Sequence, residues 1–201
     1  MGSAMTKALN IMKREHLSLN TVLHVLNQLV LDLESGRLRS DDVDYDLIEK
    51  IMTYIEEFLD TMHHPKEDNY LFPALLKKTS EANDVIMELQ EQHQKGVEHR
   101  QRLEVHIQAM KDKHPGQVEK VIDALKDYLA AHRAHMKLED TVVIPLAERV
   151  LTDEDWAPID AAFSENNDPL FGDVPQNKFR KLLSDITFLA PSPIGLGGTK
   201  K

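Results

Sequence analysis

His63 and Glu67 stand four residues apart in the segment HHPKEDNYLFP (63–73), and His135 and Glu139 repeat that spacing in HMKLEDTVVIP (135–145). Aligned, the two segments share the histidine, a Glu-Asp pair, two apolar residues and a proline. Four residues of α-helix turn about 400°, so each histidine and its glutamate lie on one face, one turn apart. Such a pair offers a neutral imidazole nitrogen and a carboxylate able to bridge, which is half of a metal site. A single pair is usually no more than a helix-surface contact. Two copies ask for a stronger explanation.

Each copy also has an upstream histidine: His16 precedes His63 by 47 residues, and His93 precedes His135 by 42. The midpoints, about 39.5 and 114, fall in the turn-forming stretches GRLRSDD and KHPG. In two antiparallel hairpins each upstream histidine would therefore meet its partner at similar depth. Four histidines and two carboxylates converging in a core suit iron or manganese, with zinc possible; calcium would want oxygen alone. The duplication suggests two metals, each with two terminal histidines and sharing bridging glutamates. Positions would remain open for water, oxygen, peroxide or nitric oxide.

Other residues compete less well. A lone histidine on an apolar stripe is more often a hydrogen-bonded core residue than a ligand. His64 and His114 border a proline or a turn and read as solvated, and His99 falls on a different face from His93. His24 reads as a core or supporting residue. His132, three before His135, is a candidate supporting donor or extra ligand. Asp140 competes with Glu139, although five residues past the histidine it points elsewhere on an ideal helix. Tyr54 and Tyr128 read as core. Gly96 costs helix stability and could admit a close neighbour; Pro73 and Pro145 could simply bend the helix ends.

These residues need long helices to carry them. Residues 6–34 hold a helical stripe of Leu9, Met12, Leu19, Val22, Leu23, Leu26, Leu29, Val30 and Leu33, closed by Gly36. A second helix starts at SDDVD (40–44) and runs through Ile48, Ile51, Met52, Ile55, Phe58 and Leu59 into the first motif, where Pro65 should kink or restart it. Thr79 and Ser80 offer the next cap, before a third helix over about 81–112. A fourth follows KHPG over about 117–149 and contains the second motif. Short connections imply an all-α, up-down-up-down antiparallel four-helix bundle over residues 6–150. Residues 1–5 read as an expression scar. Residues 151–190 read as a helical appendage packing Trp156, Phe163, Phe171 and Leu182 on the bundle, and 191–201 as a loose tail.

Composition bounds the rest. A net charge of −10 argues against nucleic acid or an anionic membrane surface as partner. No apolar run reaches membrane-spanning length. The absence of cysteine excludes disulfides, thiolate metal sites and cysteine nucleophiles, and a cytoplasmic location is the default.

At the duplicated His-x-x-x-Glu with its two upstream histidines, the chain resembles the hemerythrin-like, or HHE cation-binding, family over about residues 7–150. The resemblance implies a four-helix bundle around a non-haem pair of irons, oxo- or hydroxo-bridged, with manganese or zinc as possible substitutes. By position, His16 and His63 would serve one iron, His93 and His135 the other, and Glu67 and Glu139 would bridge. The oxygen-carrying hemerythrins add a fifth histidine one turn after the third-helix ligand, where this chain has Val97. Their last carboxylate is an aspartate placed as Asp140 is here. The set resembles instead members linked to iron or oxygen sensing and to oxidative or nitrosative stress. The implied function is binding of O2 or NO for sensing, storage or scavenging. The alternative is an enzyme of peroxide decomposition, NO chemistry or iron-cluster repair.

Overall fold

The computed structural model describes residues 6–165 together with Ser184, Ile186 and Phe188. Helix α1 spans Lys7–Glu34; the Thr6 hydroxyl caps its start, accepting from the Leu9 N–H. Gly36, at φ 67°, takes the left-handed step that ends it, as its place in the sequence predicts. Helix α2 begins at Tyr45, capped by Asp44, and continues without interruption to Lys78 through the segments Tyr45–Tyr54, Ile55–His63, His64–Lys66, Glu67–Leu71 and Phe72–Lys78. Helix α3 is Asn83–Lys111, and α4 is built from Gln117–Leu138, Glu139–Val143 and Ile144–Val150.

The four helices run antiparallel, as cross-links between them show. Lys126 pairs with Glu34 and Arg133 with Asn27 between α4 and α1. Arg102 pairs with Asp127 and Gln92 with His135 between α3 and α4, and Arg100 pairs with Asp60 and His93 with Asp68 between α3 and α2. The partners descend one helix as they climb the other. This is the up-down-up-down bundle that the short connections require.

Three prolines lie within α2 and α4, and none breaks its helix. Each directly follows a residue whose N–H reaches back five positions: His64 to the Leu59 carbonyl, Phe72 to Glu67 and Ile144 to Glu139. These are π-helical turns, which are frequent at functional sites. The return to i→i+4 bonding skips a carbonyl in any case, so a residue without an N–H stands where it removes least. Pro65 therefore does not restart α2, and Pro73 and Pro145 mark the register shift rather than a bent end. Each π turn inserts one residue and advances which side of the helix faces inward.

Apolar side chains form two separate cores. One gathers Leu19, Leu26, Ile51, Phe58, Leu103, Leu125 and their neighbours. The other gathers Leu9, Met12, Phe72, Leu89 and Ile144 with Trp156, Ile159 and Phe163 from a fifth helix, α5 (Asp153–Glu165). Asp160 of α5 accepts from the Ala8 N–H at 2.7 Å, placing a carboxylate on the N-terminus of α1. Trp156 and Phe163 thus pack on the bundle. Phe171, Leu182 and most of residues 166–201 lie outside the described residues.

Candidate metal centre

Between the two apolar cores lies a buried polar layer. Its members are Glu15 and His16 from α1, His63, His64 and Glu67 from α2, His93 from α3, and His132, His135 and Glu139 from α4. The stripes that bury the apolar residues also bury these, because both lie on the same inward faces.

All six sequence-predicted residues meet here, in two groups that could hold a metal ion. His16, His63, Glu67 and Glu139 form one, and His64, Glu67, His93 and His135 the other; within each, one donor atom per residue lies within 4.8 Å of the rest. Each hairpin brings its two histidines together as the midpoint argument requires. The His16 and His63 rings are 5.4 Å apart, and those of His93 and His135 4.9 Å. Each glutamate faces one histidine from each hairpin. Glu67 Oε1 is 3.4 Å from His63 Nε2 and its Oε2 3.5 Å from His93 Nε2. Glu139 Oε2 is 3.2 Å from His16 Nε2 and its Oε1 3.2 Å from His135 Nε2.

These atoms are close but not aligned for hydrogen bonding. The Nε2 atoms of His16, His64, His93 and His135 and both oxygens of Glu67 and Glu139 are buried without a hydrogen-bond partner. Leaving so many buried polar atoms unsatisfied is costly, on the order of 1–3 kcal/mol each. Oxygen and imidazole donors that point into a common space rather than at one another fit a bound cation.

The other ring nitrogens are fixed. His63 Nδ1 donates to Glu15 at 2.7 Å, His16 Nδ1 to Asp140 at 3.1 Å, His93 Nδ1 to Asp68 at 3.0 Å and His135 Nδ1 to Gln92 at 3.1 Å. A carboxylate or an amide oxygen can only accept there, so each Nδ1 carries the proton. Such outer hydrogen bonds orient metal-binding histidines and select their tautomer. The four acceptors obey one rule: each stands beside a predicted residue, Glu15 and Gln92 just before the upstream histidines, Asp68 and Asp140 just after the glutamates. Asp140, half exposed, is thus a support for His16 and belongs to neither donor group.

Charge divides unevenly across the layer. Burial pushes the Glu67 carboxyl well above its ordinary range, and the charge of Glu139 adds to this. Burial acts on Glu139 in the same direction, but His135 and His16 outweigh it and hold Glu139 well below that range. Burial also opposes a charged His16, yet Asp140 and Glu139 raise its pKa to about 10.

Three readings from sequence are corrected. His64 is not solvated; it is 5% exposed, stacks on His93 with ring centroids 4.0 Å apart, and meets His135 edge-on. Burial and the neighbouring His93, His135 and His63 keep its pKa well below 6.5. His24 is exposed rather than supporting, because eight residues past His16 the helix has turned about 80° beyond two full turns. Gly96 does not admit a close neighbour: a methyl group there would meet only His132 Cε1, at an ordinary 3.9 Å. His132 is buried against Tyr128, its Nδ1 has no hydrogen-bond partner, and it belongs to neither donor group. Tyr54 and Tyr128 are core residues and His114 is exposed, as read. Among the described residues no helix is long and apolar enough to cross a membrane.

A family model, the hemerythrin HHE cation binding domain, matches residues 7–147. Comparison with curated proteins and with solved structures gave no match.

Proposed function

We propose that this chain, which belongs to the hemerythrin HHE cation-binding family, is a di-iron protein that takes up O2 or NO for sensing, storage or scavenging. Metal binding follows from the family and from the buried His/Glu groups. The reading carries further on one observation: four histidines have Nδ1 tied to an acceptor while the unpartnered imidazole nitrogens and carboxylates face one another.

In this reading His16 and His63 hold one metal, His93 and His135 the other, and Glu67 and Glu139 span both. Imidazole and carboxylate donors with no cysteine favour iron or manganese, with zinc as a possible substitute. When bound, the irons supply redox and Lewis-acid chemistry. The protein fixes the tautomers, keeps the donors converged, and excludes bulk water with an apolar core on either side. Phe72 stacks on His93 at 5.8 Å and closes one flank of the layer. Sensing or scavenging in the cytoplasm fits a chain without cysteine.

Elemental analysis of protein reconstituted anaerobically with ferrous iron tests the assignment. About two irons per chain is the expected result, followed by a reversible absorbance change on adding O2 or NO. Turnover of peroxide without a reversible adduct would move the assignment to the enzyme reading. No bound metal would remove both.

A further inference from the structure

We propose that His132, His99 and Tyr128 form a binding site for water and other small neutral hydrogen-bonding molecules, hydrogen peroxide among them, and that this site is their way into the buried layer from the α3 side. Its use by peroxide rests on the metal-binding reading above; the site itself does not.

The pairs Gln92–His135 and Arg102–Asp127 set the register of α3 against α4, so residues 96–99 of α3 stand level with 128–132 of α4. A methyl group on Gly96 would come to 3.9 Å from His132 Cε1, and the His132 ring lies 4.2 Å from that of Tyr128. At this level three buried polar atoms have no hydrogen-bond partner: His132 Nδ1, His99 Nδ1 and the Tyr128 hydroxyl. His132 is 5% exposed and Tyr128 0%. Buried groups of this kind are ordinarily bonded to protein or to an internal water. Among the described residues no protein group takes that part, which leaves it to a small molecule held between the two helices.

The polar run continues to the surface. Asp60 of α2 accepts from Arg100 at 2.9 Å, and Arg100 pairs also with Glu104 at 2.7 Å and Glu56 at 3.5 Å. Glu56 is exposed and Glu104 partly so. At the inner end, His132 belongs to the buried layer and stands nearly one turn before His135.

The walls select the occupant. Burial and the neighbouring His135, His99 and His93 push His132 down to about 3, so its ring is neutral at pH 7. Burial, and then the charge of Asp60, hold the Tyr128 phenol well above its ordinary range, so it keeps its proton. Neutral donors and acceptors hydrogen-bond a neutral molecule but do not repay an ion for its lost hydration.

The two halves of the chain isolate this feature. His16 corresponds to His93 in the repeated pattern, so Leu19, Val22 and Leu23 correspond to Gly96, His99 and Arg100. Those three are buried members of the apolar core. The polar run therefore belongs to α3, and the same level beside α1 is apolar packing.

Magnetic relaxation dispersion of the water signal counts long-lived internal waters in metal-free protein. Wild type should hold at least one more than His132→Leu; equal counts would overturn the site. Should His132→Leu fail to fold, Tyr128→Phe, which removes only the hydroxyl, takes its place with the same expectation. In ferrous-loaded protein the variant should react with hydrogen peroxide about tenfold more slowly than wild type, the worth of about one hydrogen bond, with the rate of NO binding unchanged. Slowing of both reactions, or of neither, would overturn the route while leaving the metal reading intact. A wild type that binds no iron would overturn the metal reading and the peroxide route together, and the water count would still decide the site.

Discussion

Loading the metal-free protein with a divalent cation at pH 7 should expel at least one proton per chain, and His16 is its principal source. Burial disfavours a charged imidazole at this position. Asp140, 3.1 Å from Nδ1, and Glu139, 3.2 Å from Nε2, reverse that balance and raise the pKa to about 10. At pH 7 both ring nitrogens are therefore protonated, and Nε2 has no lone pair for a metal. Removing that proton about three units below its pKa costs about 4 kcal/mol, at about 1.36 kcal/mol per unit. Affinity should accordingly climb about tenfold per pH unit from 7 towards 10. Glu67, whose pKa is pushed up by burial and by Glu139, contributes a second proton wherever the pH lies below its raised value. Zinc titrations in buffers of differing ionisation enthalpy, or in a pH-stat, count the protons directly. Asp140→Asn removes the leading cause of the rise, so release at pH 7 should fall while metal stoichiometry is kept. A wild-type release below about half a proton per chain, or an unchanged pH slope in Asp140→Asn, would refute the reasoning. The same shift fixes a sign for stability. In metal-free protein the ion pairs of His16 contribute fully below its unfolded value of 6.5 and are lost as pH rises through about 10.

Three further outcomes are expected. Glu67→Ala or Glu139→Ala should empty both metal positions together, whereas His16→Ala should mainly empty one; full metal content in the double glutamate variant, by elemental analysis, would sink the bridging assignment. Gly96→Ala should stabilise the protein by up to about 1 kcal/mol in urea unfolding, because helix propensity rises and the added methyl meets only His132 at van der Waals distance. A net destabilisation would show that the site needs the missing side chain. Asp160→Ala should cost about 1 kcal/mol by loss of the bond to the Ala8 N–H, seen in the same assay.

The inward stripe of α1, the hairpin turns and the depth at which His16 meets His63 were all legible from periodicity and spacing. So was the convergence of Glu67 and Glu139, since an i, i+4 pair shares a face in any regular helix. What stayed hidden depends on departures from that regularity. His64 is inward only because a five-residue turn shifts the phase of α2, and Pro65 beside it argued for a chain break. Propensity marks the proline but does not report that the ladder has already slipped before it. The acceptors Glu15, Asp68 and Gln92 escaped notice for a related reason. Each is a sequence neighbour of a predicted residue, on a side of the helix that reaches a ring nitrogen only once another helix is in place. Asp140 was singled out, but as a rival to Glu139. Its contact with His16 joins α4 to α1, a relation that the spacing within one hairpin does not contain.

That crossing has a consequence for assembly. Two Nδ1 bonds close within a hairpin, His63 to Glu15 and His135 to Gln92, while the other two, His16 to Asp140 and His93 to Asp68, join one hairpin to the other. Each glutamate likewise faces a histidine from both. If the chain were cleaved at the Ser80–Ala82 turn, each fragment would carry part of every donor set and complete none. A metal ion bound here would act as a coincidence detector, held tightly only when both fragments are docked in register, and fragment complementation would be driven by the cation itself.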